Sequence, residues 1–320
     1  MSEVLQEIDQ MVLRAQKALE VMKTFSQEQV DKITEAMCNA GSAAGVNLAE
    51  MAVEETGIGK LEDKAMKNYV ATQVVYDQMK DEKSVGIIGE ANGVIHIAEP
   101  FGVVAAVTPT TNPTSTTLCN AMISLKGRNV IIFAFHPRAQ QCCVASAQIL
   151  LDAAVAAGAP EDCIQWVRKP SVEATNMLMK HPGVAMVIAT GGGAMVKAAY
   201  SSGHPALGVG PGNVPVYIEK TADLSMAVNN ILASKTFDYG TLCLTEQTVI
   251  FDNEDTAKKV LQLFKERGVH HCNEAEKSKL EAVMFDKEKG VPSAAIVGQS
   301  PQKLAQLAGF SVSDEIKLLL

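Results

Sequence analysis

Cys243 sits in the stretch FDYGTLCLTEQ (237–247), just after a glycine and beside small, hydroxylated and acidic residues. A thiol so placed can act as a nucleophile. Free cysteine is also among the most buried residue types, so a core role competes with that reading. The sequence separates the seven cysteines: Cys119, Cys142, Cys143 and Cys163 lie in apolar helix or strand patterns and read as core, and Cys38 and Cys272 as incidental. Cys243 falls instead in a Gly-Thr turn at an expected domain boundary, where clefts form. No His adjoins it, so its activation has to come from backbone N–H groups, helix ends or the positive charge of a cofactor. For proton handling, proximity in sequence offers only His204 and Glu246.

Two further stretches carry suitable residue types. In VTPTTNPTSTT (107–117), Asn112 occupies a rigid turn at the carboxyl end of an expected strand, ahead of a helix beginning near Thr114. A held Asn amide offers two N–H donors to a developing oxyanion. The competing reading is an Asx-Pro turn with a Thr-rich cap. Thr190-Gly191-Gly192-Gly193 follows the run VAMVIAT and opens a helix. Glycines there let a backbone approach a phosphate, and the helix N-terminus supplies N–H groups and partial positive charge. The competing reading is a tight strand–helix turn, because the pattern is not GxGxxG. HPALGVGPGNVPVYIE (204–219) reads as a rigid loop of glycines and prolines with no carboxylate until Glu219.

The elements that must position these residues follow from periodicity. Leu5, Ile8, Val12, Ala15, Leu19 and Met22 recur at helical spacing. Ser26 with Gln29 forms a capping box for a second helix, which turns Val30, Ile33 and Met37 inward, and Gly57 and Gly59 stop a third. SVGIIGEANGVIHIAEP alternates about Asn92-Gly93, a hairpin signal. From Phe101 onward the strands VVAAVTP, NVIIFAF, CIQWVRK and VAMVIAT alternate with helices, and VPVYIE closes the series. Near-continuous apolar strands between helices predict an α/β fold with a Rossmann-type parallel sheet covered on both faces. Ligands of such sheets sit at the carboxyl ends of the strands. After the helix DLSMAVNNILASKTF, a second α/β domain is expected from near Asp238, ending on the strand-like DEIKLLL. The expected domains are therefore 1–237, a dinucleotide-binding domain with a hairpin near 85–98, and 238–320, which carries Cys243.

Composition narrows the function classes. With 320 residues, 47% of them hydrophobic, the chain can bury a sizeable core. A net charge of −8 and a sequence pI near 5.4 argue against nucleic-acid or anionic-membrane partners, which need a basic face. The N-terminal stretch has acids among its apolar positions and no cleavage-site pattern, so no signal peptide is expected. No window of about 18 apolar residues spans a membrane. An odd number of cysteines, seven, without CxxC spacing suggests neither a disulfide framework nor a metal site, and a reducing cytoplasm suits them.

Taken together, EPFGVVAAVTPTTNPTSTT, VIATGGGAMVKAAYSSG, HPALGVGPGNVPVYIE and FDYGTLCLTEQ resemble the aldehyde dehydrogenase superfamily, in family order and at roughly family spacing. More narrowly they resemble its CoA-acylating, acetaldehyde-type branch, which includes the aldehyde-oxidising half of bifunctional aldehyde–alcohol dehydrogenases. The resemblance implies CoA-acylating oxidation of a short-chain aldehyde, with NAD as hydride acceptor and coenzyme A as co-substrate. It implies that Cys243 is the nucleophile and Asn112 the side-chain donor of the oxyanion hole. It places Thr108, Pro109, Thr110, Thr190, Gly191, Gly192 and Gly210 at the dinucleotide, and makes the Asn92-Gly93 hairpin an arm between subunits of a homo-oligomer. Two departures stand out. The hydrolytic branch carries a water-activating Glu where this chain reads LGVGPGN, which disfavours hydrolysis to a carboxylate. The Lys that contacts the adenosine ribose in that branch is missing from NVIIFAFHPRA, where Arg138 could accept a 2′-phosphate and admit NADP. Superfamily members continue past the point matching Leu320, so the resemblance implies a catalytic domain that is incomplete at its C-terminus. Ile316–Leu320 would then be an apolar strand lacking its next neighbour, with slow turnover and self-association as consequences. That end also motivates a different reading, a catalytically incompetent assembly fragment of the fold.

Overall fold

The computed structural model describes residues 3–286 and 291–320. Contacts divide the chain into two compact units, Met1–Thr56 with Lys64–Pro211, and Gly57–Asp63 with Gly212–Leu320.

The first unit opens with helices α1 (Glu3–Met22), α2 (Gln27–Ala43) and α3 (Gly45–Thr56). Ser26 and Gln29 form the expected capping box on α2, and α3 stops where Gly57 takes a φ of +67°. Helix α4 (Leu61–Tyr69) passes through a π-turn at Val70–Val74 into α5 (Val75–Met79). Strands β1 (Gly86–Ala91) and β2 (Val94–Ala98) then pair about Asn92 and Gly93, whose φ values of 54° and 75° are those of a type I′ turn.

Next come β3 (Val103–Val107), α6 (Pro113–Lys126), β4 (Val130–Ala134), α7 (Gln140–Ala156), β5 (Ile164–Trp166), α8 (Val172–Lys180), β6 (Met186–Thr190), α9 (Gly193–Tyr200) and β7 (Ala206–Val209). The five sheet strands run parallel in the order β5-β4-β3-β6-β7. Every residue of β3 and β4 is buried, as a sheet covered on both faces requires. From the central β3 the chain builds outward through β4 to β5, then returns to place β6 on the other side of β3. The order reverses between β3 and β6, so a crevice opens at their carboxyl ends.

The second unit continues with β8 (Val214–Ile218), α10 (Leu224–Thr236), β9 (Glu246–Phe251), α11 (Glu254–Glu266), β10 (Val269–His270), α12 (Glu274–Met284), β11 (Phe285–Asp286), β12 (Val291–Pro292), α13 (Pro301–Leu307) and β13 (Leu318–Leu319). Its core gathers Ile218, Val228, Ile231, Leu232, Val260, Phe264 and Val269.

Three sequence expectations change. The stretch from His204 is not all loop: Ala206–Val209 is the fifth strand of the large sheet. Its glycine serves close packing, because a Cβ at Gly208 would lie 2.7 Å from Val196 Cγ1 and 2.8 Å from Tyr200 on α9. VPVYIE does not close that sheet either, since β8 pairs in parallel with β9 in a separate two-stranded sheet. That pairing draws Gly212 onward into the second unit, so the contact boundary lies at Pro211/Gly212 and Phe237 falls inside the second unit. Finally, the apolar terminal run has a neighbour on one side, as β13 pairs in parallel with β10. No helix among the described residues is long and apolar enough to cross a membrane.

Candidate active site

In the second unit, Cys243 is the exposed member of the seven cysteines. Cys38, Cys142, Cys143 and Cys163 are buried, and Cys119 and Cys272 are half-buried. Cys38, expected to be incidental, packs in the core of the first unit. Burial pushes the Cys38 and Cys119 thiols up and takes Cys163 to about 12. Contact with Cys143, together with burial, pushes Cys142 up, and burial followed by the Glu276 carboxylate raises Cys272. Raised values keep those thiols protonated and poorly nucleophilic.

Cys243 follows the leading residue of a tight turn, which Thr245 N–H closes on the Leu242 carbonyl at 3.2 Å. The Thr245 hydroxyl donates to the same carbonyl at 3.0 Å. The approach to this turn is strained. Asp238 and Tyr239 take φ values of 48° and 50°, and Gly240 follows at 72°. Non-glycine residues enter this left-handed region only when their surroundings over-determine it. Here those surroundings converge on Asp238, which is fully buried. Its Oδ1 accepts the Lys60 backbone N–H at 2.7 Å, its Oδ2 accepts the Thr241 hydroxyl at 2.6 Å, and its own N–H donates to Asp63 Oδ2 at 2.7 Å. Lys60 Nζ donates to the Thr236 carbonyl at 2.9 Å and lies 4.8 Å from the centre of the Tyr239 ring. Gly212 packs so closely on the Cys243 carbonyl that an added Cβ would collide with it. Sequence reasoning missed Lys60, Asp63, Asp238 and Gly212 as supports of this turn.

In the first unit, the other expected residues gather at the switch-point crevice. Thr108, Pro109 and Thr110 follow β3, and Thr190, Gly191 and Gly192 end β6 and open α9. Gly210 lies one residue past β7. Val107 pairs with Ala189 and Thr190 with Val209, which brings the three strand ends side by side. The Thr108 side chain is buried 3.8 Å from Cys143 Sγ, so this threonine offers the crevice its backbone. Gly192 caps α9 at a φ of −68°, and a Cβ at Gly192 or Gly193 would meet nothing within 4 Å. Neither backbone conformation nor internal packing requires glycine at those two positions. The open space there leaves room for a phosphate against the helix N-terminus, so the residues at this switch point are compatible with a dinucleotide. Arg138 is exposed past β4, its N–H donating to His136 Nδ1 at 3.1 Å.

Asn112 is the N-cap residue of α6, yet its side chain makes no cap hydrogen bond. Its Oδ1 instead accepts from Lys67 Nζ at 2.7 Å, and Lys64 Nζ donates to the Thr111 carbonyl at 2.8 Å. Both lysines, buried on α4, escaped the sequence reading. Asn112 thus belongs to the first unit and Cys243 to the second. The two proton-handling candidates are divided likewise, His204 in the first unit and Glu246 in the second. Among the described residues, Glu246 Oε2 is buried without a hydrogen-bond partner.

His270, Cys272 and Glu276 bring donor atoms within 4.8 Å of one another. Glu276 Oε2, which faces His270 Nε2 at 3.1 Å, already accepts the Asn273 N–H at 2.9 Å as part of the α12 capping box. The cap accounts for the placement of that carboxylate.

A doubly wound sheet with a glycine turn at its switch point, followed by an exposed cysteine in a buttressed turn, defines an aldehyde-dehydrogenase-like protein. The chain belongs to the aldehyde dehydrogenase family, whose profile matches residues 4–273. It is 47% identical over 316 residues to the bifunctional aldehyde-alcohol dehydrogenase AdhE of Escherichia coli K12, covering 98% of this chain and 35% of that protein. It is similar to the crystal structure of an acetylating aldehyde dehydrogenase from Geobacillus thermoglucosidasius, with a TM-score of 0.95 and 45% identity over 99% of this chain and 70% of that one. It is also similar to Rhodopseudomonas palustris propionaldehyde dehydrogenase, solved with bound CoA and an acylated cysteine. There the TM-score is 0.86 and the identity 32%, covering 98% of this chain and 71% of that one. The chain thus spans about a third of the length of this curated relative.

Proposed function

We propose that the chain carries the chemistry of a CoA-acylating aldehyde dehydrogenase: aldehyde + CoA + NAD(P)⁺ ⇌ acyl-CoA + NAD(P)H + H⁺. The observation that carries this reading is the exposure of Cys243 on a braced turn, while the other six thiols are buried or half-buried. Relatives named as acetylating enzymes, and a solved relative holding CoA and an acylated cysteine, support it.

The Cys243 thiolate, its proton released to solvent, attacks the aldehyde carbon. The Asn112 amide and the Cys243 backbone N–H stabilise the oxyanion of the thiohemiacetal, and losing one such donor costs about 3 kcal/mol. A nicotinamide dinucleotide, when bound along Thr108–Thr110, Thr190–Gly192 and Gly210, accepts the hydride. The oxyanion collapses to a thioester on Cys243. CoA thiolate attacks that thioester, acyl-CoA leaves, and the Cys243 thiolate returns.

Water is a poor competitor in the second half because residues 204–218 carry no acid. Glu219, the first to follow, accepts from the Thr221 N–H at 2.7 Å and from the Thr221 hydroxyl. Seven unpaired cysteines suit a reducing cytoplasm. The hairpin exposes Ile87, Val94, Ile95 and Ile97 at 54% or more, which suits an arm between subunits of a homo-oligomer.

The test is NADH formation from acetaldehyde and NAD⁺ with and without CoA, repeated with NADP⁺. CoA is expected to raise the rate at least about tenfold, by analogy with the loss of a positioned general base. Equal rates in both mixtures would sink the CoA-acylating reading.

A further inference from the structure

Helix α4 places Lys64 and Lys67 three residues apart, on one face. Both are buried, at 2% and 8% exposure. Ammonium groups are almost never buried without partners that hold them. Here both reach the same loop: Lys64 Nζ donates to the Thr111 carbonyl at 2.8 Å, and Lys67 Nζ donates to Asn112 Oδ1 at 2.7 Å. Asn68, the next residue of α4, fastens the helix from two sides. Its Nδ2 donates to the Gly45 carbonyl and its Oδ1 accepts the Thr114 hydroxyl, both at 2.8 Å.

The chemistry of Lys67 decides which way the Asn112 amide faces. An ammonium has three donors and no acceptor, so the amide end against it must be the oxygen. The N–H end then faces away from the ammonium, and Nδ2 donates to Thr111 Oγ1 at 3.4 Å. An N-cap asparagine ordinarily turns its oxygen onto the helix N–H groups. Asn112 does not, and Lys67 holds that oxygen instead. A charge-assisted bond to the amide oxygen also draws electron density from the amide and makes its N–H groups stronger donors.

We propose that Lys67 is a positioning residue for acyl transfer: it orients and polarises the Asn112 amide so that the amide N–H meets the oxyanion. This rests on the role of Asn112 given above, and the experiment separates the two. The rate of Cys243 acylation by acetyl-CoA is followed by quenched intact mass in the full chain and in Asn112→Ala, Lys67→Met, Lys67→Gln, Lys67→Arg and the Asn112→Ala/Lys67→Met double variant. Circular dichroism checks folding. Asn112→Ala is expected to slow acylation roughly 100- to 1000-fold, the usual loss for one oxyanion donor. Lys67→Met is expected to slow it about 10- to 100-fold, and the double variant to be no slower than Asn112→Ala alone, because residues acting as a unit are not additive. Lys67→Arg should recover more of the rate than Lys67→Gln, which donates without a charge. That ordering still decides the matter if Lys67→Met does not fold. Loss under about threefold in Asn112→Ala, or no acylation of the parent chain, would overturn the Asn112 reading and this proposal together. A full loss in Asn112→Ala overturns the proposal alone if Lys67→Met and Lys67→Gln keep the parent rate, or if Lys67→Met slows the Asn112→Ala background by its full factor.

Discussion

Replacing Asp238 tests whether the turn that presents Cys243 is held in place from beneath. Asp238→Ala removes the acceptor of the Lys60 N–H at 2.7 Å and one acceptor of the Thr241 hydroxyl at 2.6 Å, both bonds to a fully buried carboxyl. Hydrogen bonds to charged groups contribute about 1.5–3 kcal/mol each. The Thr241 hydroxyl keeps the Asp238 carbonyl at 2.9 Å as a second acceptor, so that loss falls at the low end. Alanine must also hold a φ of 48°, which aspartate tolerates better. Removing a buried carboxyl relieves some desolvation, which offsets part of the sum. A net of about 3 kcal/mol remains, equivalent to an opening constant raised on the order of 100-fold, since about 1.4 kcal/mol is tenfold. Hydrogen exchange of the peptide covering 237–247 reads that opening directly. Asp238→Ala should speed its exchange about 100-fold and slow Cys243 acylation in parallel. Asp238→Asn should fall between it and the parent, because its Oδ1 can still accept the Lys60 N–H. Exchange within about threefold of the parent, with undiminished acylation, would refute the bracing argument.

Two further outcomes follow from packing. Gly212→Ala forces a Cβ onto the Cys243 carbonyl, so acylation should fall by more than about tenfold while dinucleotide affinity stays unchanged, since small misplacements of reacting groups cost rates of that order. Acylation at the parent rate would mean the turn yields freely. In the hairpin, Ile95→Glu or Ile97→Glu should lower the mass found by light scattering, because both side chains are exposed at 54% and 61%. An unchanged mass would exclude that arm from any subunit contact.

The fold was legible where burial is uniform. Strands β3 and β4 read as unbroken apolar runs because the sheet is covered on both faces. The Asn92-Gly93 hairpin and the Ser26 capping box were legible because turn and cap chemistry is local. β7 was not, since the glycines and prolines around it imitate a loop, and the parallel pairing with β6 and the packing of Gly208 on α9 reveal a strand. The unit boundary at Pro211/Gly212 follows from the pairing of β8 with β9 across an intervening helix, which no shift in composition marks. Among the candidate residues, Cys243 was singled out by its Gly-Thr turn at an expected domain boundary, while Asn112 on its own read more readily as an Asx-Pro turn and was singled out by the family resemblance. Lys60, Lys64, Lys67 and Asp238 were not singled out, because a charged residue in a polar helix or turn reads as solvated until the tertiary structure shows its hydrogen-bond partners. Those four supply the hydrogen bonds that hold the two chemical groups in place.

The most direct test of the account is peptide mapping of the chain after incubation with acetyl-CoA. The acetyl group should appear on the peptide containing Cys243 and on none of the other six cysteine positions, and Cys243→Ser should remain unmodified while still binding NAD⁺. Acetyl groups on Cys119, Cys142 or Cys272 with Cys243 unmodified would contradict it.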